Sequence, residues 1–201
     1  MAIVGLAYLA IAPFPEEHTP GTMPVYGKGV VAAQMISANL TYDRTEVTLE
    51  ADNVTIESDN SITGGSLSLG VAHFYEEARK MAFGMVAGKD EDGTPVMDTV
   101  AALPPYVGAG FILSEQINGV ESHLANIVWK TQFAPQGINA QTRGKQKNYQ
   151  TVTANGTFMG VQINENPATF VREARFSTLG AAQAWINKRF NIEASVEGAA
   201  E

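Results

Sequence analysis

Cysteine is absent from all 201 residues, which excludes a disulfide framework, a thiolate metal centre and a cysteine nucleophile together. The fold must therefore stand on packing. Histidine is scarce: His18, His73 and His123 show no H-x-x-x-H spacing that would set two imidazoles on one helical face. Positive charge is scarce as well. Thirteen Lys and Arg against 21 Asp and Glu leave a formal net charge of −8, a balance that repels a polyanion and argues against tight nucleic-acid binding. There is no long hydrophobic run either. The opening Met1–Ala12 is apolar, yet it is too short to span a bilayer and has no basic n-region, and no lipidation motif is present. It reads as a buried first strand in a protein made and used from the cytosol, without a membrane partner.

What is there describes a globular chain. Hydrophobic residues make up 45% and charged residues 17%, a mixture that can build a core, and the length fits one domain. The charge is uneven: residues 1–100 carry net −9 and residues 101–201 net +1. Asp43, Glu46, Glu50, Asp52, Glu57 and Asp59 face only Arg44 over 43–59. Two readings stand for this cluster: a solvated strand edge, or a functional acidic surface.

Along the chain, residues 13–24 hold four prolines and a glycine, which forbids helix or central strand and sets an extended loop at 13–28. Residues 29–42 read as a strand, with room for a bulge. Asn53-Val-Thr-Ile-Glu57 and the stretch ending at Val71 both alternate, so a turn at 58–61 predicts a hairpin between them. Residues 73–84 switch to helical spacing through Phe74, Ala78, Met81 and Met85, with Gly84 as C-cap. A charged, turn-rich loop is predicted over 88–105. Residues 106–117 and 120–133 flank Asn118-Gly119, which favours a type I′ hairpin because both turn residues need positive φ. A polar loop at 134–148 precedes strands at 149–159 and 169–176. Thr178 can N-cap a final helix whose Leu179, Ala182, Ile186 and Phe190 form one stripe. The tail over 193–201 is small, polar and acidic, and is expected to fray. This order, about seven or eight strands and two short helices without βαβ rhythm, predicts a mainly β, antiparallel sandwich or half-barrel with flanking helices, built as a single domain.

Signals for chemistry are weak. Gly108-Ala-Gly110 has Leu at position 113 where a dinucleotide loop needs glycine, and it leads into a strand. Asp90-Glu-Asp92-Gly93 lacks the glycine position and the bidentate Glu of a calcium loop. No G-x-S-x-G elbow is present. Phe74, Trp129, Phe133, Trp185 and Phe190 sit at core-like positions. The expectation is a protein that is not an enzyme and has no cofactor and no metal.

The order of segments resembles the major tail proteins of long-tailed bacteriophages. The residues that carry it are Tyr26-Gly-Lys-Gly29 before a strand, Ala51-Asp-Asn53, and Glu57-Ser-Asp-Asn-Ser-Ile-Thr-Gly-Gly-Ser-Leu-Ser-Leu-Gly70. Pro105-Tyr-Val-Gly-Ala-Gly-Phe111, Trp129-Lys-Thr-Gln-Phe133 and Ala184-Trp-Ile186 complete it. The resemblance implies a virion protein of the tail, assembled in the host cytoplasm as hexameric rings that stack into a hollow tube for genome ejection. It implies copies of itself, a tape measure protein, a tail terminator and tail-tip or baseplate proteins as partners, with DNA only in passage. Under it, the six acidic residues of 43–59 are candidates for the channel wall, where like charge keeps DNA moving. The loops at 13–28, 88–105 and 134–148 are candidates for ring stacking, with Lys89, Asp90, Glu91, Asp92, Arg143, Lys145 and Lys147 as contact residues. Competing readings are a monomeric β-sandwich ligand-binding module, which predicts an exposed aromatic platform, another phage tail or decoration protein, and a hydrolase with two convergent carboxylates.

Overall fold

The computed structural model of the chain describes residues 2–51, 54–100, 103–135, 151–163 and 168–193. Thirteen elements follow in order: β1 (Ala2–Pro13), β2 (Val30–Arg44), β3 (Val47–Ala51), β4 (Val54–Asp59), β5 (Ile62–Phe74), α1 (Glu76–Phe83), β6 (Val86–Lys89), β7 (Pro95–Asp98), β8 (Tyr106–Ile117), β9 (Val120–Phe133), β10 (Val152–Met159), β11 (Val171–Phe176) and α2 (Leu179–Arg189). The structure is mainly β and antiparallel with two flanking helices, as the patterning predicts.

The main sheet runs β10-β5-β2-β1-β8-β9-β11, and β10 also pairs with β9 through Gly156↔Phe133 to Met159↔Lys130. Six strands thus close into a barrel, while β11 occupies the N-terminal part of the same β9 edge. The β1–β2 seam is the short one, held only by Leu9↔Ala33, Ala10↔Val31 and Ile11↔Val30, so β2 parts from β1 beyond Ala33.

Alternation along β1, β8 and β9 feeds two cores. Leu9, Ile11, Val107, Ala109, Phe111, Val128 and Phe133 turn inward with Leu67, Leu69, Val71, Ala154 and Phe158. Ala10, Ala12, Ile112, Ala125, Ile127 and Trp129 turn outward, where Tyr26, Ala182, Ile186 and Phe190 cover them. Leu6 and Leu9 both pack on the inner core although they are three apart. A regular strand would send them to opposite faces. The bulge between Ala7 and Leu9, with Tyr8 at φ 60°, supplies the extra residue.

The α2 helix begins where Thr178 accepts a hydrogen bond from Ala181 N (3.3 Å) and lays Ala182, Ile186 and Phe190 on the sheet, all fully buried. Gly108 and Gly110 form its seat. A Cβ at Gly108 would lie 2.5 Å from Tyr26 Cε1, and one at Gly110 would lie 2.9 Å from both Ile186 Cγ2 and Phe190 Cε2. The apparent fragment of a dinucleotide loop is therefore a packing surface.

The α1 helix contacts β1, β2, β8 and β9 and sends Ala78, Ala82 and Phe83 into the inner core, so it caps one end of the barrel. Glu76 and Glu77 in its first turn complement the helix dipole. Gly84, at φ 66°, ends it through a bond to Lys80 O. Phe83 meets Phe74 and Phe133 edge-on at 5.3 and 6.4 Å.

Two expectations need correction. The segments around 58–61 do not form a hairpin with each other: β4 pairs with β3, while β5 pairs with β2 and β10. Residues 60–61 simply continue the chain from one pairing to the next. The stretch 88–105 is not plain loop either, since β6 and β7 form a hairpin with Lys89 opposite Pro95. The 118–119 hairpin is as predicted, with φ 51° and 81° and Ile117 opposite Val120. The loop at 134–148 falls largely outside the described residues, as does the tail beyond 193.

Gly110→Val should destabilise the chain by about 1–3 kcal/mol, since overpacking here lifts Phe190 and α2 off the sheet. Urea unfolding measures the loss, and a midpoint equal to that of the unaltered chain contradicts the seat.

Candidate assembly surface

β2 and β5 run past the barrel and are continued by β3 and β4, with Thr45 N donating to Ser61 O (2.9 Å) at the junction. The result is an arm. It leaves the barrel end opposite α1, because β2 starts beside α1, where Tyr75 N donates to Ala32 O (3.0 Å), and runs away from it. Val47 and Ile56 are exposed on this arm and Ile62 at its base, while Tyr42, partly exposed, sets its ring edge-on against Phe158 of the inner core at 5.7 Å. A lone two-stranded hairpin is marginally stable in water, and Val47 and Ile56 here are left bare.

A second projection leaves the other end. The chain departs at Gly84 and returns at Pro104 and Pro105, close enough that a Gly84 Cβ would lie 3.2 Å from Pro105 Cδ. Between these points stands the β6–β7 hairpin. Its tip is held by Asp90 Oδ1 accepting from Glu91 N (2.9 Å), Asp92 Oδ1 from Thr94 N (3.0 Å) and Asp90 O from Gly93 N (2.9 Å). The bonds from Thr94 hold the Asp92 carboxyl below its ordinary range, so the tip keeps its charge.

The acidic residues of 43–59 separate under this geometry. Asp43 is the last residue but one of β2, opposite Gly64 at the base of the arm, Glu46 lies in the β2–β3 connection and Glu57 lies on β4, all exposed. Glu50 belongs to β3 and Asp59 to β4, while Asp52 lies outside the described residues. Lys89, Asp90, Glu91 and Asp92 meet at the tip of the second hairpin, all exposed, and Arg143, Lys145 and Lys147 fall outside the described residues. Residues 13–28 follow an irregular path as expected, but Tyr26 pins them: its hydroxyl donates to Trp129 O (2.5 Å) inside the outer core.

Among the described residues the polar groups that could do chemistry are dispersed. Ser114 Oγ and His123 Nδ1 lie 3.1 Å apart, but neighbouring Glu115 points to the other face of β8, where it is fully buried and takes Arg175 Nη2 at 2.9 Å. Glu115 Oε1 and the Oγ of its cross-strand neighbour Ser122 have no partner among the described residues. No group of three or more His, Asp or Glu side chains converges among the described residues. A cleft of about 420 Å³ lies between Lys28, Val30, Tyr75, Glu77 and Ile192, and Lys28 Nζ meets Glu193 Oε2 at 3.1 Å on its rim. Trp129, Phe133, Phe74 and Phe190 are buried, as their spacing predicts, and Trp185 is half-buried beside Phe176. Among the described residues no helix is long and apolar enough to cross a membrane. The chain matches no protein-family model and no curated protein.

Burial pushes the Tyr26 phenol far above its ordinary value of 10.0. The folded chain therefore holds a proton that the unfolded chain releases, so this contribution is intact below pH 10 and is lost above it at about 1.4 kcal/mol per pH unit. Stability measured from pH 8 to 11.5 should fall above pH 10, and Tyr26→Phe should flatten that fall.

Arg175→Ala should destabilise the chain by about 2 kcal/mol at neutral pH, because it strands the buried Glu115 carboxylate, a loss moderated by the half-exposed position of the arginine. Denaturant titration reads it, and Glu115→Gln in the same background should recover part of the loss.

Proposed function

We propose that the chain is a structural subunit that assembles with copies of itself, end to end, into rings and a hollow tube of the phage tail type. The arm carries this reading. Val47 and Ile56 are exposed on the β3–β4 hairpin and Ile62 at its base, and burial is worth about 1.5–3 kcal/mol for each large apolar side chain. Projections at opposite ends of a closed barrel suit head-to-tail contact, which grows openly along an axis when the operation does not close on itself. The tail-protein resemblance supports the same reading. It supplies the remaining partners: the tape measure protein, terminator and tail-tip proteins, with DNA passing through the tube and the virion tail as its place.

Electron microscopy and sedimentation velocity across rising protein concentration test this reading. Rings or tubes are expected; a monomer at every concentration, also with tail-initiating partners added, overturns it. Val47→Ser with Ile56→Ser should leave the unfolding free energy within about 0.5 kcal/mol, since both side chains are already exposed. The same pair should raise the concentration needed for assembly at least about tenfold.

A further inference from the structure

Arg172 on β11 and Arg189 at the end of α2 converge on one methionine. Arg172 Nη1 lies 4.0 Å from Met23 Sδ, and Arg189 Nη1 also contacts that sulfur. Arg172 lies over the Trp129 ring at 5.0 Å and Arg189 over the Trp185 ring at 5.6 Å, so indole faces hold both guanidinium planes in place. Neither forms an ion pair among the described residues, where the salt bridges are Lys28–Glu193, Lys80–Glu76 and Arg175–Glu115. Burial, and then the charge of Arg189, push Arg172 below its ordinary range, as expected of two like charges set side by side. On a chain of net −8, two stacked guanidinium groups with no carboxylate partner among the described residues can act as a receptor, since planar forks of this kind bind carboxylates in pairs. Met23 and Val25, both exposed, add an apolar margin to it.

The position of the receptor selects its occupant. Arg172 lies at the start of β11, opposite Ile127, and Arg189 lies one residue before Phe190, whose carbonyl takes Gly29 N at 2.8 Å just ahead of β2. Both arginines thus stand at the ends of their elements that are nearer α1, whereas the β3–β4 arm leaves the opposite end. The arm carries Asp43, Glu46 and Glu57 together with exposed Val47 and Ile56. At about 3.3 Å per residue, its five-residue strand reaches about 17 Å beyond the barrel. Charge, apolar content and direction all match.

We propose that the β3–β4 arm of one copy docks on the Arg172–Arg189–Met23 surface of the next copy, with the arm carboxylates taking the two guanidinium groups. This rests on the self-assembly reading and gives the arm acids a contact role in place of the channel-lining one that the resemblance implies. A head-to-tail contact of this kind uses two different surfaces of the same chain and repeats without limit.

Charge exchange tests it. A variant with Arg172→Glu and Arg189→Glu and a second with Asp43→Lys, Glu46→Lys and Glu57→Lys should each lose assembly at concentrations where the unaltered chain forms rings or tubes. Mixed in equal amounts, they should co-assemble, since each then offers what the other lacks. Circular dichroism and the unfolding midpoint identify any variant that fails to fold. As a second readout, the absence of native cysteine allows Met23→Cys and Ile56→Cys chains to be mixed and oxidised, and disulfide-linked pairs between the two are expected. Assembly unaffected by either reversal, or a mixture as inert as its components with no cross-link, overturns the contact alone. Rescue of the arginine reversal by Asp90→Lys with Asp92→Lys, instead of by the arm variant, assigns the receptor to the β6–β7 tip and overturns the arm. An unaltered chain that never associates removes this contact and the self-assembly reading together.

Discussion

Phe190 reaches the barrel wall because positions 108 and 110 carry no side chain. The contact sets the depth at which α2 lies, and much of one flank follows from it. Tyr26 fits between Phe190 and Trp129, with ring centroids at 4.9 and 6.4 Å. Asn191 Nδ2 donates to Tyr26 O at 2.6 Å, so the end of α2 and the loop before β2 hold each other. The outer core is thus a sandwich of helix, loop and sheet in which each layer depends on the closeness of the other two. Packing this dense gives way poorly to an added methyl group. The position of Arg189, one residue before Phe190, is a by-product of the same seat.

The two cores divide the labour of the fold. The inner one holds the six strands in a ring and is capped by α1 at one end, from which the β6–β7 hairpin leaves, while the β3–β4 arm leaves the other. The outer one fixes the helix, the irregular segment and the aromatic rings beneath the two arginines. Rigid walls with projecting hairpins suit a building block, because the projections can be long and apolar without compromising the body that carries them. The interior is filled by Leu, Val, Phe and Ala side chains, and Glu115, the one fully buried carboxylate among the described residues, answers Arg175 across the sheet.

Much of this was legible in the residues. The Asn118-Gly119 turn announces itself through a backbone requirement that few other pairs meet, and the Ala182, Ile186, Phe190 stripe through its period. Gly84 marks the end of α1 because a left-handed cap favours glycine. The misreadings share one cause, which is that pairing partners are not written locally. The alternation in 53–57 and in 62–71 is genuine strand, but which strands they meet is decided by residues far along the chain. The β6–β7 hairpin is almost wholly exposed and offers no apolar alternation to find. Closure by β10 leaves no local mark, and Arg172 and Arg189 lie on different elements with nothing in their spacing to join them. The sequence signal for that pair was only the shift in net charge toward the second half.

Barrel closure also has a kinetic side. Ala10 pairs with Gly110 and Leu69 with Ala154, so the walls join segments that are far apart in the chain, and such topologies fold slowly. On the ribosome β10 is among the last strands to emerge, and until it does the β5 and β9 edges stand open with no mate. The β2–β5 arm, made of nearer neighbours, can form well before the body is complete. A nascent chain therefore exposes Val47 and Ile56 on the arm before the body that bears it has closed. Completion of the wall then waits on its slowest strand, and the order of synthesis sets the order in which surface is buried.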